Sequence, residues 1–347
     1  LPFRMTATAP SESEIYDRQI RLWGADAQSK MSSATVLYVN ISGVSSEILK
    51  NLVLAGIRGA IADGRPYPHA LAETPTSFLP PSDRSLATND EEKEGSEQSE
   101  PDAKRVKRMS VAKAMQPHVY ELNPLLEECA INEDDLDAVS NDYFSKYDIV
   151  VASNIGINDA IRISNAVAVK GGKFYLVHSF GLYACAMIDL GKNHTYREEM
   201  GKDKLSDVKK VEPYKSLEEM FQIKLSDAKD RWHKNGSPIV YSKYRTILHY
   251  YSQKKEWPSA ENVDDFIAVS KEFLKEQGMD ENYSGEDDEG LKSLALTATA
   301  EVSPVCAVMG GVLGNEVIKA ISGKGAPANN TLLFDGTDGG CKSFILK

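Results

Sequence analysis

From residue 34 to residue 190 the chain alternates short apolar runs with stretches whose apolar positions recur at helical spacing. The run Ala34–Val39 has the make-up of a buried strand, and it leads through Asn40-Ile41-Ser42-Gly43-Val44-Ser45-Ser46 into Glu47–Leu54, where the period turns helical. Strand, tight turn and helix in that order open a mononucleotide-binding α/β unit. A second strand is expected at Gly59–Ala62, ending on Asp63, followed by a proline-rich irregular crossing over Gly64–Pro81. Further on, the pattern predicts a helix at Val106–Met115, a strand at His118–Leu122 and a turn at Asn123-Pro124. Another unit follows, with a strand at Asp148–Ser153, a helix from about Asn158 to Val169, a Gly171-Gly172 break and a strand at Phe174–Ser179. Leu182–Leu190 supplies a further strand, and residues 11–31 read as a short helix capped by Ser11.

After Asn193 the texture changes. Residues 196–300 are charged and mostly helical in pattern, with an apolar stripe in Val263, Phe266, Ile267, Val269, Phe273 and Leu274, and Asp280–Glu289 reads as an acidic loop. The chain then turns apolar from Val302 to Ile321 and closes with strands expected at Thr331–Asp335 and Ser343–Leu346, which rejoin the first sheet. The fold class is therefore α/β, a Rossmann-like, mostly parallel sheet flanked by helices, with an inserted helical subdomain. Four parts are expected: a flexible N-terminus at 1–10, the α/β domain from 11 to 195, the helical insert at 196–300, and the return to the α/β domain at 301–347. Gly310, Gly311 and Gly314 fall inside the last helix, where each glycine costs about 1 kcal/mol relative to alanine, so close packing against another element is the expected compensation.

Composition narrows the function classes. The 347 residues carry a formal charge of −11, which disfavours a broad nucleic-acid surface and favours a protein partner or small ligand. Cys129, Cys185, Cys306 and Cys341 are too far apart for a zinc knuckle and suit a reducing compartment. No run of about 18 uninterrupted apolar residues is present, and the first residues lack a signal-peptide pattern, so a nuclear or cytoplasmic address is expected. Residues 88–108 include an acidic, polar stretch that changes into Lys104-Arg105-Val106-Lys107-Arg108; the insert is expected to be flexible, and the basic run reads as a nuclear import signal or an ordinary solvated run.

The candidate chemistry is notable for what is missing. A phosphate-binding loop uses glycines so that backbone amides at a helix start can approach the anion. Here only Gly43 holds its place, while Asn40, Ser42 and Ser45 bring β-carbons, which points to a retained fold with lost binding. Asp63 stands where a ribose-binding acid would lie, and an ordinary loop acid has the same appearance. His178, Cys185 and Cys306 lie in apolar surroundings and read as structural, and the six histidines form no metal motif.

Tyr16-Asp17-Arg18-Gln19-Ile20-Arg21-Leu22-Trp23-Gly24, followed by Ala27-Gln28, resembles the N-terminal signature of the enzymes that activate ubiquitin-like proteins. The resemblance extends through Glu47–Gly56, Leu122-Asn123-Pro124, Ser303–Gly311, Glu316–Lys319 and Asn329–Gly336. Within that family the chain is most similar to the smaller subunits of SUMO-activating heterodimers. An active family member has the full glycine loop and a magnesium-binding aspartate after the strand matching Asp148–Ser153; this chain reads Asn154-Ile155-Gly156 there. The resemblance implies a pseudo-adenylation domain with no metal site and no nucleotide site of its own at Asn40, Ser42, Gly43, Ser45 and Asp63. ATP and magnesium would sit mainly on a larger catalytic partner, with SUMO as shared substrate and the SUMO-conjugating enzyme recruited through that partner. Arg18 would act in trans, placing its guanidinium on the ATP phosphates in the partner's site, whereas Arg21 would fix the N-terminal packing. A protein-interaction scaffold of the same fold and an independent nucleotide-dependent enzyme with an atypical loop remain the alternatives.

Overall fold

The computed structural model of the chain describes residues 12–67, 109–123, 125–126, 128–201, 204–229, 233–234, 236–279 and 287–347. Ser11, most of the 64–81 crossing, all of 88–108, Pro124 and most of the 280–289 stretch lie outside the described residues. The N-terminal helix is three short ones, α1 (Glu12–Ile15), α2 (Asp17–Trp23) and α3 (Ala25–Ser33). Gly24 separates the last two at φ 86°, a positive value that costs glycine no steric strain.

β1 (Thr35–Val39) enters α4 (Gly43–Leu54), and β2 (Arg58–Ala62) runs parallel to β1 with Leu37 opposite Ala60. Next comes α5 (Val111–Leu122), which absorbs the strand expected at His118–Leu122. Strand-forming residues follow Pro117 there, but Val111, Ala112, Ala114, Met115 and Val119 form one buried stripe. Burying that stripe offsets the hydrogen bond that a proline forfeits inside a helix.

A three-residue strand absent from the sequence reading, β3 (Ala130–Asn132), then pairs with β2. The chain continues through α6 (Asn141–Phe144), β4 (Ile149–Ser153), α7 (Ile157–Ala168), β5 (Lys173–Phe180) and β6 (Tyr183–Asp189). A small hairpin, β7 (Thr195–Tyr196) with β8 (Lys209–Lys210), precedes helices α8 (Leu217–Gln222), α9 (Ile239–Lys254), α10 (Val263–Glu276) and α11 (Asp288–Thr297). The long α12 (Ser303–Ser322), β9 (Thr331–Asp335) and β10 (Gly340–Phe344) return the chain to the sheet. The final strand thus ends earlier than expected. Leu346 is held by Asn330, whose side-chain oxygen accepts from its N–H and whose amide donates to its carbonyl, both at 2.9 Å.

The sheet has the order β10-β9-β6-β5-β4-β1-β2-β3. The strands from β3 through β5 pair in parallel, and β5, β6, β9 and β10 pair antiparallel. Alternate strand residues feed two cores: Leu37 and Val39 face a layer that includes α7 to α11, and Val36 and Tyr38 face α3, α4, α5 and α12. By length and composition α12 could cross a bilayer. Its Val305, Met309, Leu313 and Val317 are instead buried in the second core, so its apolarity is that of a core helix. Close packing explains two of its glycines. A β-carbon on Gly310 would fall 2.4 Å from Glu47 Cβ, and one on Gly314 3.3 Å from Asn51 Cβ, whereas Gly311 has open space around it.

Candidate functional site

In the sheet order, β1 lies between β2 and β4, and the crevice beyond the carboxyl ends of β1 and β4 is where an open α/β sheet of this kind holds its ligand. Asn40 and Asn154 leave the two strands at φ 55° and 53°, values that asparagine tolerates better than most side chains. The intervening residues are tied internally. Ser42 caps α4, its hydroxyl accepting from Ser45 N at 3.2 Å while Ser42 N donates to Ser45 Oγ at 2.8 Å, and Ser153 donates to the Asn40 carbonyl.

Asp63, at the end of β2, is buried. Its Oδ2 accepts from Ile41 N at 2.8 Å, and Arg65 grips the carboxylate through Nε at 2.9 Å and Nη2 at 2.6 Å while also donating to Ile41 O. The residue that sequence reasoning missed is Glu301. It comes from just ahead of α12, and its Oε2 accepts from Gly43 N at 2.7 Å, at the start of α4 where a phosphate oxygen would lie in a working loop. Burial pushes the Glu301 carboxyl up to about 7, against the lowering effects of the Gly43 N–H, Arg65 and the Asn154 side chain. A nucleotide triphosphate does not fit these residues. The loop amides of Ile41, Ser42 and Gly43 already have acceptors, and a carboxylate lies in the phosphate position.

The other sequence candidates separate cleanly. His178 is buried beside Trp257 and Tyr244 with Nε2 at 3.0 Å from Ala298 O, and burial lowers it to about 4. Cys185 and Cys306 are buried, and burial raises both thiols, Cys306 to about 12, which leaves them protonated and poor nucleophiles. Asp159, the first acid after the Asn154-Ile155-Gly156 loop, lies 3.6 Å from Arg162. Among the described residues no three His, Cys, Asp or Glu side chains come together as metal ligands.

Arg18 is far from this crevice, on α2. Tyr16 is buried at 3% exposure, and its hydroxyl accepts from Asn123 Nδ2 at 2.7 Å; the same nitrogen reaches Val53 O at 2.9 Å. Gln19 donates to Leu54 O and Gln28 to Ala55 O, each at 3.2 Å, and Lys324 Nζ donates to Trp23 O at 2.6 Å. Gly56 is required beneath Tyr16, since a β-carbon there would lie 2.8 Å from the ring. These contacts fasten α2 to the carboxyl end of α4. Arg18 itself is exposed and makes no hydrogen bond or ion pair among the described residues. Arg21 does not carry the packing: it is exposed and pairs at 2.8 Å with Asp17 of its own helix.

The twelve residues of α4 span about 18 Å. Its amino end forms the closed crevice and its carboxyl end anchors the helix bearing Arg18.

No protein-family model matches the chain. Among curated proteins it is similar to SUMO-activating enzyme subunit 1B-1 of Arabidopsis thaliana, at 30% identity over 335 residues covering 94% of each chain. It is also similar to SUMO-activating enzyme subunit 1 of Xenopus tropicalis, at 27% identity with 94% of this chain and 93% of the relative covered. The protein of that name from Dictyostelium discoideum is 26% identical, covering 94% of this chain and 91% of the relative.

Proposed function

This chain belongs to the SUMO-activating enzyme subunit 1 family, and from that premise we propose that it is the required but non-catalytic half of a heterodimer that adenylates the SUMO C-terminus. In this reading the larger subunit binds ATP and magnesium, receives SUMO on its own cysteine and recruits the conjugating enzyme. Arg18 supplies a guanidinium to the phosphates in the larger subunit's site, where it stabilises negative charge as pyrophosphate departs. The observation that carries this reading is the separation along α4. Arg18, exposed and without a hydrogen bond or ion pair among the described residues, sits on the helix fastened at one end of α4, and the chain's own crevice, closed by Glu301, lies at the other, beyond the reach of an arginine side chain.

A surface for the partner is available on α12. Pro304, Ala307, Val308, Gly311 and Asn315 are exposed along one side of that helix, a small and mainly apolar face of the kind that permanent subunit contacts cover. For localisation, the basic run Lys104–Arg108 supports a nuclear assignment; a fluorescent fusion that stays nuclear after its four basic residues become alanine would remove that support.

The test is ATP–pyrophosphate exchange with purified SUMO, comparing this chain, the larger subunit and the mixture. Exchange is expected only in the mixture, and exchange by this chain alone would overturn the reading. Arg18→Ala should leave the heterodimer intact and lower exchange by on the order of 100-fold, the scale of losing one transition-state donor. Loss of the heterodimer, or unchanged exchange, would refute a direct role for Arg18.

A further inference from the structure

The sequence alone attributes loss of nucleotide binding to β-carbons in the loop, but the geometry shows that Asn40, Ser42 and Ser45 are accommodated within it. Asn40 takes its positive φ, and the two serines satisfy each other as a capping box. What stands in the phosphate position is the Glu301 side chain, delivered from 258 residues along the chain. We infer that the Glu301 carboxyl group plugs the start of α4, and that the Gly43 and Val44 N–H groups, with Arg65 beside them, take inorganic phosphate or pyrophosphate once that group is removed.

Three observations carry this inference independently of the role of Arg18. First, α4 presents the N–H groups of Gly43 and Val44, which have no acceptor within the helix, together with the positive end of its dipole. Glu301 takes the Gly43 N–H. Second, Glu301 is 9% exposed, and its Oε1 has no hydrogen-bond partner among the described residues. Oε2 takes the Gly43 N–H and the Asn154 side chain lies close to the carboxyl group, yet Oε1 gains no hydrogen bond of good geometry, a mismatch that a tetrahedral oxyanion, with oxygens in several directions, would improve. Third, the Arg65 guanidinium is held at the same place by Asp63 and contributes positive charge toward Glu301. Asp63 sets a limit on affinity, because its carboxylate remains beside the site after Glu301 is gone. The expected ligand is accordingly a small phosphate oxyanion bound weakly.

The experiment is equilibrium dialysis of radiolabelled pyrophosphate against the full chain at fixed ionic strength, using wild type, Glu301→Ser and Glu301→Gln. The serine variant is expected to bind with a dissociation constant at least tenfold below that of wild type. The glutamine variant, which fills the same space with a neutral amide, should bind no better than wild type. Equal binding by the serine and glutamine variants, or no binding by a folded serine variant, would overturn the inference. If the serine variant is unfolded in chloride buffer, pyrophosphate must restore its native circular dichroism, and failure to do so would also overturn the inference.

Discussion

Replacing Gly310 with alanine tests the packing that holds the two ends of the fold together. The new methyl carbon would stand 2.4 Å from Glu47 Cβ and 3.3 Å from Glu47 C and Ile48 N, against the 3.5–4.0 Å or so at which carbon atoms pack. The clash is with atoms fixed to the α4 backbone, so the helices must separate. Overpacking of that kind costs about 3 kcal/mol, at the upper end of the usual range, while alanine's better helix propensity returns about 1 kcal/mol. Gly310→Ala should therefore destabilise the chain by about 2 kcal/mol. Gly311→Ala meets no heavy atom within 4 Å and should stabilise it by about 1 kcal/mol. Gly314→Ala, at 3.3 Å from Asn51 Cβ, should fall between them. Urea unfolding reads the difference directly as a shift in midpoint at constant slope. A Gly310→Ala variant as stable as wild type, or a Gly311→Ala variant as damaged as Gly310→Ala, would refute this close packing of α12 on α4. In the heterodimer the order changes in one respect: Gly311→Ala should weaken subunit association, because Gly311 lies on the exposed face proposed for the partner.

Two further outcomes follow from the buried groups. Burial holds His178 and His194 at about 4, below the ordinary 6.5, so the unfolded state alone takes up these protons and their contribution to stability is lost as pH falls from 6.5 toward 4. Glu301 acts in the opposite sense: its folded value of about 7 lies above 4.5, so its contribution is present below 4.5 and is lost as pH rises through 7. Glu301→Gln removes the opposing change and should make acid destabilisation steeper between pH 7 and 4.5; urea midpoints with the same pH slope in variant and wild type would refute this. At the N-terminal anchor, Tyr16→Phe deletes the hydrogen bond from Asn123 and should cost about 1 kcal/mol. Asn123→Ala, which also removes the donor to Val53 O, should cost about 2 kcal/mol, and thermal unfolding unchanged in either variant would contradict the anchoring.

Much of the α/β frame was legible because its strands are short apolar runs buried on both faces, as at Val36–Val39 and Val150–Ser153. The error at His118–Leu122 has a local cause: Pro117 breaks the expected helix on paper, while the buried stripe that overrides it depends on tertiary contact. β3 escaped notice because three half-buried residues at a sheet edge leave almost no periodic signal. Arg18 stood out through the run around it, and the structure gives Tyr16, Gln19, Trp23, Gly24 and Gln28 physical tasks as anchors. Glu301 could not be singled out. It is one acid ahead of an apolar helix, and only the fold brings it to Gly43.

These features converge on α4. Its amino end receives Glu301, its middle presents Glu47 and Asn51 to Gly310 and Gly314 of α12, and its carboxyl end holds the helix that carries Arg18. Because Glu301 immediately precedes α12, a shift of α12 away from α4 would disturb the closed crevice and the proposed partner face together. The opposite end of α12 is tied to the N-terminal helices by Lys30 Nζ donating to Ser322 O at 3.0 Å and by Lys324 donating to Trp23 O. Gly310→Ala should therefore lower exchange by the assembled enzyme even though Gly310 touches neither Arg18 nor nucleotide. A Gly310→Ala heterodimer with wild-type exchange would show that α12 and α2 move independently, and would confine the role of α12 to its own contact surface.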